Sequence, residues 1–178
     1  MAGSGFSIDT PRLLLREFSV EDAAPLFALN SHRDVMRYTG EEPFADERAA
    51  LQYIESYDHY QDHGFGRWAV LDKLSGTFMG FCGLRHNGDT GEVDLAFRLF
   101  REYWAAGYAT EASQASLAAG FREFGLADII GRAMRENLPS ISVLQKLGMS
   151  FRHMAEDHGL FWLIYGVSRE EFERRNAD

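Results

Sequence analysis

The sequence predicts a mixed α/β domain whose sheet is mostly antiparallel, and two changes of hydrophobic period carry that expectation. In the middle of the chain, Glu92, Asp94 and Ala96 alternate with Val93, Leu95 and Phe97, the period of two expected of a strand. On either side of it, apolar residues recur at three- and four-residue spacing, as on helices. After the central meander, strand and helix patterns alternate, which places helices on both faces of a mixed sheet. A chain of 178 residues without repeats, low-complexity tracts or a Pro/Ser linker fits a single domain, here assigned to residues 10–178 behind a flexible leader of residues 1–9.

Thr10-Pro11 precedes Leu13, Leu14 and Leu15, a short apolar run read as the first strand. Ser19 then stands as an N-cap with Asp22 three residues on, opening a short helix through Leu26 and Phe27. A loop holding Arg37, Tyr38, Thr39 and Gly40 leads to a second helix near Asp46 to Gln61, with Ala50, Tyr53, Ile54 and Tyr57 on one side. Arg67 to Leu71 and Phe78 to Leu84 read as a hairpin across Leu74-Ser75-Gly76. A second turn, Asn87 to Gly91, feeds the alternating strand from Glu92. Tyr108 to Phe124 is a helix closed by Gly125. Asp128 to Ala133 is a strand, Asn137 to Leu147 a helix closed by Gly148, and Phe151 to Met154 and Leu160 to Tyr165 two final strands before a helical tail, Arg169 to Arg175.

The net charge is −9, a poor footprint for nucleic acid or an anionic membrane and a better one for a cationic or amine-bearing partner. No apolar run approaches the length of a membrane span. Cys82 is the only cysteine, so no intrachain disulfide is possible and a reducing, cytoplasmic setting is expected. Its apolar strand context makes it a core residue rather than a nucleophile. His59 and His63 are four apart on a helix, but no Cys or carboxylate cluster accompanies them; a solvated helix face is expected, and no metal site.

Two stretches carry chemistry. From Leu99 to Ala112 a strand ends, a loop of small residues follows and a helix begins. Small residues let backbone N–H groups approach an anion, and the helix dipole adds to the attraction; an ordinary small-residue helix start fits the same spacing. In Asn137-Leu138-Pro139-Ser140, Asn137 is placed as an N-cap with Ser140 at the third helical position, which by itself is a capped helix and no more.

Together these stretches resemble the acetyl-coenzyme A-dependent N-acetyltransferase superfamily, the GNAT fold, and within it the branch of ribosomal-protein N-terminal (alanine/serine) acetyltransferases. The resemblance runs from Thr10-Pro11-Arg12-Leu13-Leu14-Leu15-Arg16 to the last strands; Tyr103-Trp104, Gly107 to Ala112 and Asn137 to Gly148 are its strongest parts, with Asp34 to Tyr38 and Asp94 to Phe97 also similar. The family's pyrophosphate signature falls on Trp104, Ala105, Ala106, Gly107, Tyr108 and Ala109, and the resemblance implies a pyrophosphate against the backbone from Trp104 to Thr110. Ala105 stands where a glycine is usual and Ala106 where a basic residue is common. The resemblance implies a sheet splayed between two parallel strands, Glu92–Leu99 and Asp128–Ala133. The pantetheine arm of acetyl-CoA would lie in the splay against Phe97, Arg98 and Leu99, Asn137 would reach its amide, and Lys146 would stand near the nucleotide.

It also implies transfer of acetyl from acetyl-CoA to a primary amine, on a protein N-terminus or a small molecule, by direct attack in a ternary complex, in a monomer or homodimer. A non-catalytic acyl-CoA-binding module of the same fold is the alternative. Ser140 resembles the serine that meets the thioester sulfur, with Tyr103 and Tyr108 less favoured. Asp94 aligns with an acidic position of the branch and shares a strand face with Glu92, so the two are the candidate bases; as residues alone they also fit a solvent-facing strand. Arg37, Tyr38, Glu41, Glu42 and Trp162 are candidates for the acceptor side. His153 and His158 fit either an acceptor pocket or the surface.

Overall fold

The computed structural model describes residues 5–177. Eight strands form one sheet: β1 (Ser7–Asp9), β2 (Leu13–Arg16), β3 (Arg67–Asp72), β4 (Phe78–His86), β5 (Val93–Leu99), β6 (Asp128–Ala133), β7 (Ser150–Asp157) and β8 (Leu160–Ser168). Their order is β1-β2-β3-β4-β5-β6-β8-β7. Every neighbouring pair is antiparallel except β5 and β6. A parallel pair needs a crossover, and helix α5 (Tyr108–Arg122) supplies it.

The parallel pair joins only at Asp94↔Ile130 and Leu95↔Gly131. Beyond these the carboxyl ends of β5 and β6 separate, so the splay expected between these strands is present. Helix α6 (Leu138–Lys146) begins just past the end of β6.

Helix α5 buries Ala112, Leu117 and Phe121 against Leu84, Leu95 and Ile129 of the sheet, with Leu144 and Leu147 of α6 beside them. On the opposite face, α1 (Ala23–Leu29), α2 (Arg33–Met36) and α3 (Glu47–Glu55) gather Leu26, Leu29, Val35 and Ile54 over Phe78, Phe81 and Phe100. Helix α7 (Arg169–Arg175) drives Phe172 against Phe121, ring centroids 5.1 Å apart.

Three boundaries differ from expectation. Ser7–Asp9 is an edge strand registered against Leu14–Arg16, not part of a leader; residues 1–4 lie outside the described residues. The helix expected over 46–61 is two, α3 and α4 (His59–His63), because the Ser56 N–H caps back onto the Gln52 carbonyl and Tyr57 leaves the helical path, where its Oη accepts the Arg67 N–H at 2.7 Å. Glu92 precedes β5 and is exposed, whereas Asp94 within the strand is buried.

Candidate active site

The loop between β5 and α5 carries the residues expected to meet an anion. A single 3₁₀ turn, Arg101–Tyr103, carries the chain off the strand to Trp104, whose indole N–H donates to the Leu99 carbonyl at 2.9 Å and ties the loop to the strand end. Ala105 then takes φ +57° and Gly107 φ +83°. Glycine adopts this left-handed backbone without penalty; alanine there costs roughly 1–2 kcal/mol. The substitution of alanine for glycine at 105 therefore leaves the loop shape in place at a cost in strain. The first helical bond of α5 runs from Glu111 N–H to the Gly107 carbonyl. None of the amides from Ala105 to Thr110 finds a protein acceptor among the described residues. Successive free N–H groups in a loop of alternating hand stand at the positive end of a 15-residue helix, an arrangement of the kind that attracts anions.

At the end of β6, Asn137 accepts the Ser140 N–H through Oδ1 at 3.3 Å, the expected cap. Ser140 is half-buried and its hydroxyl bonds to no side chain or backbone group among the described residues. Phe97 is half-buried on the splayed part of β5, and Leu99 is buried with its carbonyl taken by Trp104. Lys146 is exposed at the far end of α6, where its carbonyl accepts from Arg175 at 2.6 Å.

The other face of the splay receives the remaining candidates. Arg98 turns its guanidinium there, donating to Asn30 Oδ1 at 2.8 Å and Glu41 at 3.0 Å. Trp162 is buried, stacked under Arg132 with the guanidinium carbon 4.5 Å from its ring centre, and its indole N–H has no partner among the described residues. A side chain at Gly40 would strike Trp162 and Leu160, so the loop of Arg37 and Tyr38 does close over Trp162. Arg37 itself is exposed, its guanidinium over the Tyr38 ring.

A recess at the paired end of the splay is lined by Arg85, Glu92, Asp94, Arg132, His153 and Asp157 among others. Its charge is mixed, not purely acidic. Asp94 accepts from the Arg67 guanidinium at 2.8 Å, and Arg85 Nε stands 3.4 Å from its other oxygen. Burial alone would raise the Asp94 pKa, but Arg67 and then Arg85 outweigh it and hold the carboxyl below its ordinary range. Asp94 is thus a fixed anion with little appetite for a proton, neither solvent-facing nor tuned as a base. Arg67 was not legible as a site residue: it also donates to the Gly83 and Asp94 carbonyls, and only strand register brings these together.

Tyr103 and Tyr108 meet edge to face at the loop, 6.1 Å between centroids. His158 lies exposed at the β7–β8 turn, its Nδ1 2.6 Å from Asp157. On α4 no residue is buried: His63 is exposed, as expected of a solvated face, and His59 is half-buried. The ring of His63 stacks on His86 at 4.6 Å, and His59 Nε2 accepts the His86 N–H at 2.9 Å. No group of three or more His, Cys, Asp or Glu able to hold a metal ion occurs among the described residues. Cys82 is buried, its Sγ 3.5 Å from the hydroxyls of Ser113 and Ser116, and burial raises its pKa. No helix among the described residues is long and apolar enough to cross a membrane.

The sheet is mixed and parts at one parallel pair, with a loop of unpaired amides between the parted strand β5 and helix α5. The acetyltransferase (GNAT) domain family matches residues 12–150, and the chain belongs to the GNAT acetyltransferases. An uncharacterized N-acetyltransferase of Bacillus licheniformis is 29% identical over 151 residues, 84% of this chain and 85% of that one. A GNAT-family acetyltransferase of Bacillus anthracis superposes with a TM-score of 0.80 at 26% identity, covering 93% of this chain and 99% of its own. A ribosomal-protein-S5-alanine acetyltransferase of Vibrio fischeri shares the fold, with a TM-score of 0.79 at 16% identity over 94% of this chain and 98% of that one.

Proposed function

We propose that the protein transfers the acetyl group of acetyl-CoA to a primary amine, with both substrates bound at once. The observation that carries this reading is the placement of the free amides of Ala105 to Thr110 and of Ser140 at the same open end of the splay. Acetyl-CoA supplies a thioester whose acetyl carbonyl an amine attacks directly, so no enzyme nucleophile is required and the burial of Cys82 is no obstacle.

In this reading the amides of Ala105 to Thr110 hold the pyrophosphate and the unpaired edge of β5 near Phe97 holds the pantetheine arm. Asn137 Nδ2 is left free by its cap and reaches the pantetheine amide. Ser140 Oγ donates to the sulfur as thiolate character develops there. The amine arrives on the face of Arg98 and Trp162. Asp94, ionised and fixed by Arg67, draws the ammonium without taking its proton; the proton passes to water and on to the exposed carboxylate of Glu92. The acceptor is a peptide N-terminus or a small amine. The fold likeness to a ribosomal-protein acetyltransferase supports the first without deciding it.

The experiment is release of free thiol from acetyl-CoA across a panel of peptides and small amines. Thiol released only when an amine is present, with acetylated amine in equal amount, supports transfer. Tight acetyl-CoA binding with no thiol release on any amine would instead mark a non-catalytic acyl-CoA-binding module.

A further inference from the structure

The loop holds a left-handed alanine, Ala105, beside Gly107 and carries no basic side chain from Trp104 to Thr110, yet it keeps its shape. Its support comes from the other end of the sequence. Arg12, just before β2, donates through Nη1 to the Ala106 carbonyl at 2.9 Å and through Nε to Glu111 at 2.7 Å. Its guanidinium carbon lies 4.1 Å from the centre of the Tyr108 ring. The Arg12 amide and the Thr10 hydroxyl both donate to the second Glu111 oxygen, at 2.9 Å and 2.7 Å. One side chain therefore touches the loop, the first residue of α5 and the carboxylate in its first turn.

Two physical consequences follow. A left-handed alanine persists only where its surroundings over-determine it, and the bond to the Ala106 carbonyl fixes the neighbouring peptide plane. A bare carboxylate at Glu111 would repel phosphate oxygens at the cradle, and Arg12 neutralises it. The pair is well ordered for such a role: Glu111 is mostly shielded while the outer part of Arg12 reaches solvent, with side-chain exposures of 17% and 43%.

We propose that Arg12 is the positioning residue of the pyrophosphate cradle. It locks the Ala106–Gly107 peptide, next to the left-handed Ala105, with its N–H free, and it cancels the Glu111 charge at the mouth of the loop. This rests on acetyl-CoA binding with its pyrophosphate at Ala105 to Thr110.

The test is calorimetric affinity for acetyl-CoA and for S-acetylpantetheine, which has the thioester arm but no pyrophosphate. Arg12→Gln weakens acetyl-CoA binding about tenfold and leaves S-acetylpantetheine binding unchanged. Adding Ala105→Gly to Arg12→Gln restores most of the loss, because glycine holds the left-handed turn unaided. A merely structural role for Arg12 weakens both ligands alike, and that result, or no change for either, overturns the proposal. Wild-type protein that binds the two ligands equally well removes the pyrophosphate site itself, and Arg12's role with it. If Arg12→Gln does not fold, Arg12→Lys, which keeps the charge but not the planar fork, reads the same ligand ratio.

Discussion

Arg67 donates to the Asp94 carboxylate at 2.8 Å inside the sheet, and the same guanidinium bonds to the Asp94 carbonyl, so one residue is gripped by both its side chain and its backbone. The grip lies beside Leu95, the last paired residue of β5 before the splay opens. The two side chains are 9% and 13% exposed, which makes this a buried pair and not a surface one.

Asp94→Asn leaves the Arg67 charge buried without its counter-ion. Breaking a buried pair from one side costs about 3–5 kcal/mol, to be read as a lower denaturant midpoint. The pH dependence has a definite sign. Because the folded-state pKa of Asp94 is depressed, its contribution is present above the unfolded carboxyl value, near 3.8, and is lost as pH falls through the folded value. The variant has a flatter acid limb than wild type. A midpoint within about 0.5 kcal/mol of wild type would show that the pair does not hold the sheet.

Gly107→Val places a β-branched side chain at φ +83°, with its Cβ 3.3 Å from an Arg12 nitrogen. The strain is roughly 1–2 kcal/mol, tolerable to the fold but not to a loop that, in the proposed reading, faces the phosphates. Acetyl-CoA affinity falls at least about tenfold with the circular dichroism spectrum unchanged. Unaltered affinity in the folded variant would move the pyrophosphate elsewhere.

Much of this was readable in advance, for reasons particular residues make plain. Helix α5, helix α6 and β6 are periodic and punctuated by Gly125, Asn137-Pro139 and Gly148, and their bounds fall within a residue or two of expectation. The edge strand β1 was not readable: Ser7-Ile8-Asp9 offers a single apolar residue. The breaks between α3 and α4 carry neither glycine nor proline. The pairs Arg67–Asp94 and Arg12–Glu111 span 27 and 99 residues. Such contacts exist only once register is set, and local pattern contains no trace of it.

His59 accepts the His86 N–H and lies against His63, and its pKa is lowered by burial first and by the neighbouring His63 charge second, with Arg67, His86 and Arg85 adding to it. The unfolded chain therefore takes up this proton more readily than the folded one, so stability falls as pH drops below the ordinary histidine value, near 6.5. His59→Gln keeps an acceptor for the His86 N–H and does not titrate. Melting temperatures between about pH 7.5 and about pH 5.5 should fall less in His59→Gln than in wild type. Equal falls would assign the acid sensitivity to other groups.

Ser140 separates turnover from binding. It sits at the third position of α6, where Asn137 Oδ1 accepts its backbone N–H, so the cap survives loss of the hydroxyl. The residue is half-buried, and Ser140→Ala removes no protein hydrogen bond made by the hydroxyl among the described residues; its effect on stability is within about 0.5 kcal/mol. What it removes is the donor proposed for the departing sulfur. A donor that acts only as charge develops lowers kcat and leaves ground-state affinity alone. The expected loss is roughly ten- to a hundredfold in kcat, with the calorimetric affinity for acetyl-CoA unchanged. Loss of affinity without loss of kcat would make Ser140 a binding residue. An unchanged kcat on a good amine acceptor would pass the donor's role to water or to Tyr108 at the mouth of the loop.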